Sequence, residues 1–205
     1  MSTTQPIRDR NTLQNFKDYY QSTEQNIRNY AIIILDLNTA LRISDILHLT
    51  HNAVYKNGSV KEHIVIREQK TGKENRILLN REARTVLAQY HKTLLKTKMY
   101  QDGNPYLFPS PKKTDAPLSR FQAYRMIIDA AKAVGIEEHI SCHSLRKTFG
   151  YHAWKQGREP VVLMAIFNHS SFAVTKRYLC IEQDDKDEVF RNIYQSSTEK
   201  ILKNR

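Results

Sequence analysis

A change in hydrophobic period constrains the fold of this 205-residue chain more than any other feature. Before residue 53 and after residue 80, apolar residues recur at the three- and four-residue spacing of helices. Between these parts, residues 54–79 have the pattern of short strands around two glycine turns, one at Asn57-Gly58 and one at Gly72. We therefore predict an α+β fold that is mainly helical, with a small three-stranded antiparallel sheet over 54–56, 60–67 and 76–79.

The helical segments are bounded by capping residues. Residues 24–37 contain the longest apolar run, so they are predicted to form a central core helix. Asn80 is suited to cap the following helix, and Ser119 with Gln122 has the spacing of a capping box. Ser44 or Thr39 is predicted to cap a short helix ending near 49. The other predicted helices cover residues 11–20, 81–99, 120–134, 141–156, 160–167, 171–181 and 182 onward.

The charge of the chain points to a polyanionic partner. Lys and Arg number 32 against 21 Asp and Glu, which gives a net charge of +11. This balance favours DNA or RNA first and an acidic membrane surface second. No apolar stretch is long enough to span a membrane, and no signal-peptide pattern opens the chain.

The cysteine and histidine pattern predicts neither a disulfide framework nor a metal site. Cys142 and Cys180 are the two cysteines, and two suit a reducing cytoplasm. Three histidines, His139, His143 and His152, lie near Cys142, but their spacing matches no common zinc pattern.

Residues 143–178 carry the groups that point most directly to chemistry. His143 and Arg146 are three residues apart and share a helix face, and both side chains bind phosphate oxygens. His169 follows, and Tyr178 offers a phenol as a nucleophile. This arrangement in a basic chain indicates chemistry on a nucleic-acid backbone.

Two earlier segments contain further candidate residues for the same chemistry. Arg42 falls at a helix junction among apolar residues, an unfavourable place for a merely solvated charge. Lys70 and Lys73 flank the Gly72 turn. Taken singly, Arg42 is more often structural and turn lysines are more often solvated.

Taken in order, these residues resemble the catalytic domain of the tyrosine recombinases, the phage-integrase family. The resemblance covers residues 11–181. Its motifs are Ala40-Leu-Arg42-Ile-Ser-Asp45 for the first arginine box, Lys70 in Gln-Lys-Thr-Gly for the hairpin lysine, His143-Ser-Leu-Arg146 for the HxxR box, His169 in Phe-Asn-His-Ser-Ser for the LGHxS box, and Tyr178 in Thr-Lys-Arg-Tyr-Leu for the nucleophile.

Two features depart from the family pattern. Phe167-Asn168 stands where the family usually has Leu-Gly, and Asn suits a position with positive φ. About forty residues precede Arg42, too few for the separate DNA-clamping domain of most relatives. We therefore expect a single catalytic domain over 1–205, with 1–10 flexible and no separate N-terminal core-binding domain; a trimmed catalytic domain is the alternative.

The resemblance implies a site-specific DNA recombinase that works through a 3′-phosphotyrosyl intermediate. Tyr178 is the implied nucleophile. Arg42 and Arg146 would hold the non-bridging phosphate oxygens, and His169 would donate a further hydrogen bond.

The remaining implied roles concern protons and support. Lys70 would be the general acid for the leaving 5′-hydroxyl, with Lys73 as the second choice, and His143 the base or proton carrier. Asp45 would orient Arg42 or His143 through a hydrogen bond. The resemblance implies no metal and no other cofactor.

Residues 183–205 form a predicted final helix with equal numbers of acidic and basic residues. Such a neutral amphipathic helix packs on its own core or docks on a neighbouring subunit. The resemblance favours exchange between subunits, in a homotetramer on double-stranded DNA. It also implies a cytoplasmic, nucleoid-associated protein of bacterial, phage or mobile-element origin.

Two other functions remain open. One is a recombinase-like DNA-binding factor that regulates recombination without cutting, for which a phenol has no use. The other is a topoisomerase of related type that relaxes supercoils without choosing a sequence.

Overall fold

The structure is a computed structural model that describes residues 4–23, 25–97, 104–113 and 115–192. It is mainly helical with small antiparallel sheets, so the predicted fold class is confirmed. The described chain falls into two compact units, 4–152 and 153–192, where the sequence predicts one domain. Within these described ranges, no helix is both long and apolar enough to cross a membrane.

The first unit contains most of the helices and all described strands. Its elements are α1 (Arg10–Asp18), a π-helical turn (Tyr19–Thr23), α2 (Ile27–Thr39), α3 (Ile43–Leu47), α4 (His51–Val54), β1 (Tyr55–Lys56), β2 (Ser59–Val60), β3 (His63–Arg67), β4 (Glu74–Leu78), α5 (Arg81–Lys96), α6 (Arg120–Ala133) and α7 (Cys142–Lys155), whose last three residues belong to the second unit. The second unit continues with α8 (Pro160–Phe167), α9 (Phe172–Leu179) and α10 (Glu182–Asn192).

Helix α2 lies in the middle of the first unit, as predicted. Residues 32–35 are completely buried, and α2 packs along α5. Burying whole turns of Ile and Leu contributes about 1.5–3 kcal/mol per side chain, so this helix is a major source of stability. It ends at Ala40, which adopts the left-handed conformation with φ 53°.

Two of the predicted caps are confirmed and one is wrong. The Asn80 side chain accepts from the Ala83 N–H, and Ser119 and Gln122 form the reciprocal capping box. Helix α3, however, has Arg42 at its N-cap and no side-chain cap. Thr39 cannot serve there because it ends α2, where its hydroxyl donates to the Leu35 carbonyl at 2.7 Å.

The predicted three-stranded sheet is wrong, since the strands form two separate hairpins. In the first, Tyr55 pairs with Val60. Extending that ladder would pair Lys61 and Glu62 with residues 53–54, but these residues are helical in α4. The ladder therefore stops, and β3 pairs only with β4, from His63↔Leu78 to Arg67↔Glu74.

The amino-terminal segment also differs from the prediction that residues 1–10 are flexible. Residues 1–3 lie outside the described ranges, but Ile7 is buried. Its N–H donates to the Thr148 hydroxyl at 2.9 Å, and the Gln5 N–H donates to the His139 carbonyl at 3.0 Å. Residues 4–9 are thus held against α7 and the segment before it. The predicted end of α5 and residues 193–205 of the final helix fall outside the described residues.

Candidate active site

The first unit contains a pocket of about 400 Å³ that collects several of the predicted residues. Arg42 and Ser44 come from the start of α3, and Lys70 from the turn between β3 and β4. His143 comes from the first turn of α7. The complete wall is Arg42, Ile43, Ser44, Gln69, Lys70, Arg120 and His143. Four positively charged or titratable side chains around one cavity make a site for an anion.

Arg42 is held in place by two carboxylates. Its Nη1 lies 2.6 Å from Oε2 of Glu68 and 3.9 Å from Oδ2 of Asp45. Both contacts use Nη1, so the N–H groups of Nε and Nη2 can face a phosphate oxygen. The sequence predicts that Asp45 orients Arg42 or His143 through a hydrogen bond. Its contact with Arg42 is an ion pair beyond hydrogen-bond distance, and the orienting role stays a prediction. Asp45 also accepts from the Gln69 N–H at 2.8 Å through Oδ1.

Glu68 was not singled out by the sequence, yet it is the most connected acidic residue of this region. It is buried, and besides Arg42 it accepts from the Thr71 hydroxyl at 2.8 Å and the Asn75 amide at 3.3 Å. Burial alone would raise the pKa of Glu68, but these hydrogen bonds and the Arg42 charge outweigh it and lower the pKa below its usual range. Glu68 is therefore ionised at neutral pH.

Arg146 lies one helical turn after His143 on α7 and is almost fully buried. Its guanidinium donates to the carbonyl of Ala40, two residues before Arg42. Arg146 therefore approaches the same α2–α3 junction that positions Arg42, although the two are 104 residues apart in sequence. Asp36, also buried, is close enough for the Arg146 charge to act on its pKa.

His143 is an exposed residue with a strongly positive neighbourhood. Partial burial of its ring, followed by the charges of Arg120, Lys147, Arg146 and Lys70, lowers the pKa of His143. A lowered pKa keeps the imidazole neutral at pH 7. A neutral ring can accept a proton, as a base or proton carrier must.

The second unit brings His169 and Tyr178 together. Their ring centroids are 5.1 Å apart, in an edge-to-face arrangement. Phe167, which is buried, lies 5.6 Å from the His169 ring and 5.4 Å from the Tyr178 ring. The departure from the family's Leu at this position thus supplies an aromatic ring that contacts both predicted residues.

The orientation of His169 is set by the turn between α8 and α9. Asn168 has φ 54°, so the prediction that Asn suits a positive-φ position here is confirmed. Ser171 caps α9 by accepting from Val174. One turn later, the buried Thr175 hydroxyl lies 3.1 Å from Nδ1 of His169, which fixes the orientation of the ring.

The predicted residues therefore fall into two groups. Arg42, Lys70, His143 and Arg146 belong to the first unit, and His169 and Tyr178 to the second. Of the two lysines of the Gly72 turn, Lys70 lines the pocket and Lys73 does not. In the part of the chain that the structure describes, no cluster of three or more His, Cys, Asp or Glu side chains could hold a metal ion.

Comparison with known proteins adds a direct match. The model of the phage integrase family matches residues 9–184, which is most of the chain. The chain belongs to the phage integrase family. A probable integrase/recombinase of Bacillus subtilis (strain 168), YoeC, is 40% identical over 184 residues, covering 90% of this chain and 93% of that protein.

Other relatives are Xer recombinases. XerD of Corynebacterium glutamicum is 26% identical over 178 residues, covering 84% of this chain and 55% of its own length. The chain thus spans about half the length of the XerD protein it matches.

Solved structures agree on the fold. The crystal structure of XerA recombinase matches with a TM-score of 0.71 at 23% identity, covering 95% of this chain and 66% of XerA. XerH bound to its palindromic difH substrate, in a post-cleavage complex, matches with a TM-score of 0.68 at 19% identity, covering 87% of this chain and 50% of XerH. These structures show that the fold is that of a tyrosine recombinase catalytic domain. The predicted enzyme class is confirmed by the family match and by the similarity to the integrase/recombinase of Bacillus subtilis.

Proposed function

We propose that this chain cleaves and rejoins DNA strands by transient attachment of Tyr178 to a 3′-phosphate. The observation that carries the proposal is the pocket lined by Arg42, Lys70, Arg120 and His143. The family match and the contact between the His169 and Tyr178 rings in the second unit support it. The pocket suits a phosphodiester, and the phenol supplies the nucleophile.

In the proposed step, the Tyr178 oxygen forms a bond to phosphorus and the bond from phosphorus to the 5′-oxygen breaks. Arg42 and Arg146 hold the non-bridging oxygens, and His169 donates through Nε2. Preorganised donors of this kind contribute about 3–4 kcal/mol each to transition-state stabilisation. The reverse attack by a 5′-hydroxyl releases Tyr178 and closes the new strand.

Two proton transfers complete the step. The phenol, with an ordinary pKa of about 10, must lose its proton, and neutral His143 is the proposed acceptor. Lys70 gives a proton to the departing 5′-oxygen. Because the arginines carry the charge that stabilises the phosphorane, the proposed reaction uses no metal and no nucleotide.

We further propose that the partner is double-stranded DNA and that the active assembly is a homotetramer joined by the carboxy-terminal helix. In α10, Val189 and Phe190 are 62% and 76% exposed, and a second copy of the chain would cover them. Sedimentation with and without DNA tests this, and V189S with F190S should leave only monomers on DNA. A cytoplasmic, nucleoid-associated location follows from the same proposal.

The experiment that tests the reaction uses a library of duplexes with randomised cores and a nick near the cleavage position. Escape of the short cut strand traps the covalent adduct, which is isolated after denaturation and sequenced. Wild type should form the adduct and Tyr178→Phe should not. An adduct with the Phe variant would show that another residue is the nucleophile.

The same experiment separates the two alternatives. Binding of the library without any adduct would favour a DNA-binding factor that does not cut. Adducts on unrelated sequences, together with relaxation of supercoiled plasmid, would favour a topoisomerase.

A further inference from the structure

Lys70, the proposed acid, lies in the turn that joins the two strands of the second hairpin. The turn between β3 and β4 spans residues 68–73 and carries Gly72 with φ 67°. Lys70 itself is exposed. An acid must be held within hydrogen-bond reach of the leaving oxygen, so something has to fix this turn.

Glu68 makes the contacts that hold the turn together. Its side chain accepts from Thr71 and Asn75, and its backbone N–H and carbonyl bond to the Lys73 carbonyl and the Gly72 N–H at 2.9 and 2.8 Å. Four contacts thus bind residues that follow Lys70 to a single buried residue that precedes it.

The same carboxylate ties the turn to the phosphate-binding side of the pocket. Its Oε2 lies 2.6 Å from Arg42 Nη1, at the N-cap of α3. Asp45, also on α3, adds a second tie through the Gln69 N–H. Because α3 is packed into the core by Ile43, Ile46 and Leu47, it is the fixed side of these contacts and the turn is the side being held.

We propose that Glu68 is a positioning residue that holds the Lys70 turn against Arg42, so that the proton donor and the phosphate-binding guanidinium are kept at a fixed separation. The inference rests on the proposed function and deepens it. Glu68 touches neither the phosphate nor the leaving oxygen, and acts on the leaving-group step through Lys70.

The test compares cleavage of the selected nicked duplex with that of the same duplex carrying sulfur as the 5′-bridging atom. A leaving thiolate resembles a cysteine, with a pKa near about 8.5, and departs without an acid. Glu68→Ala is expected to slow cleavage of the oxygen duplex by about ten- to a hundredfold, part of the roughly 10²–10⁴ that a positioned acid contributes. On the sulfur duplex it should match wild type to within about threefold.

Companion variants separate positioning from folding. Glu68→Gln keeps the shape and an acceptor oxygen, so its defect should be smaller but equally selective for the oxygen duplex. Thr71→Val removes one bond to Glu68 without touching Arg42 and should show the same selectivity. Glu74→Ala, an exposed acid on the same hairpin, is the matched control and should cleave both duplexes normally.

The outcomes are distinct. An equal defect on both duplexes would mean that Glu68 supports only Arg42 or the fold, and faster cleavage would mean that it competes with the phosphate; either overturns the inference. Normal rates for the Glu68 variants also overturn it while the proposed function stands. Absence of an adduct with wild type on both duplexes defeats the proposed function itself.

Discussion

Replacing Asp36 with Asn is expected to stabilise the protein at neutral pH and to have little effect near pH 4. Asp36 is completely buried in α2, and neither carboxylate oxygen has a hydrogen-bond partner among the described residues. Burial, opposed only in part by the positive charge of Arg146, raises the pKa of Asp36 well above its usual 3.8. The folded protein therefore keeps this side chain protonated under conditions where the unfolded chain releases the proton.

The size of the effect follows from proton linkage. Below the unfolded pKa both states are protonated, and Asp36 makes no pH-dependent contribution. As the pH rises from there towards the folded pKa, the free energy of unfolding falls by about 1.4 kcal/mol per pH unit. The stability difference between D36N and wild type should grow at this slope and level off at the folded pKa. D36L also removes two unsatisfied polar atoms, which adds about 1–3 kcal/mol at every pH.

Urea denaturation of the full chain between pH 5 and 8 measures this difference. Asp129 on α6 is exposed, so D129N is the matched control and should follow wild type throughout. The reasoning fails if D36N is less stable than wild type at neutral pH and the gap widens with rising pH. That result would mean that Asp36 is ionised and paired with Arg146, since breaking a buried ion pair costs about 3–5 kcal/mol.

Three further predictions concern the groups around the proposed nucleophile and base. Because Thr175 holds Nδ1 of His169, T175V should slow adduct formation by about tenfold, less than the roughly 10²–10³ cost of losing a donor outright, whereas T175S should keep most of the rate. F167A should destabilise the second unit by about 3–5 kcal/mol, measured by amide exchange in α8 and α9, and F167L much less. Since the pKa of His143 is lowered, the acidic limb of the cleavage-rate profile should lie below pH 6.5 and disappear in H143Q; a limb above 6.5 would contradict the assignment.

The sequence predicts local structure correctly where the geometry depends on one residue type at one position, as at a helix cap or a residue with positive φ. Asn80 and Ser119 cap helices as expected, because short polar side chains satisfy the free N–H groups of a first turn. Asn168 takes up positive φ for a similarly local reason. The family motifs are equally local, since each needs only a few neighbouring residues to be identified; the catalytic roles assigned to them stay predictions.

The predictions are wrong where the local structure is determined by a distant residue or by a competing element. The strand pattern of residues 60–67 is continuous in sequence, but α4 occupies the positions with which residues 61–62 would pair, so the sheet splits. Thr39 has the chemistry of a cap, but its hydroxyl is used within α2. Glu68 could be noticed only as an acid next to Gln-Lys-Thr-Gly, because its ion-pair partner, Arg42, lies 26 residues earlier.

The charges around the pocket explain why carboxylates belong in a site for an anion. Arg42, Lys70 and Arg120 line the pocket, and Arg146 binds the Ala40 carbonyl two residues before Arg42, which makes four positive charges; Glu68 and Asp45 bring two negative ones. Two positive charges remain, enough for the single charge of a phosphodiester and the second charge that develops in the phosphorane. Without the carboxylates, Arg42 would be a mobile cation and would have to be ordered during the reaction. With them, Arg42 is already held in place, and in the proposed reaction this preorganisation would be the source of the stabilisation that fixed donors provide.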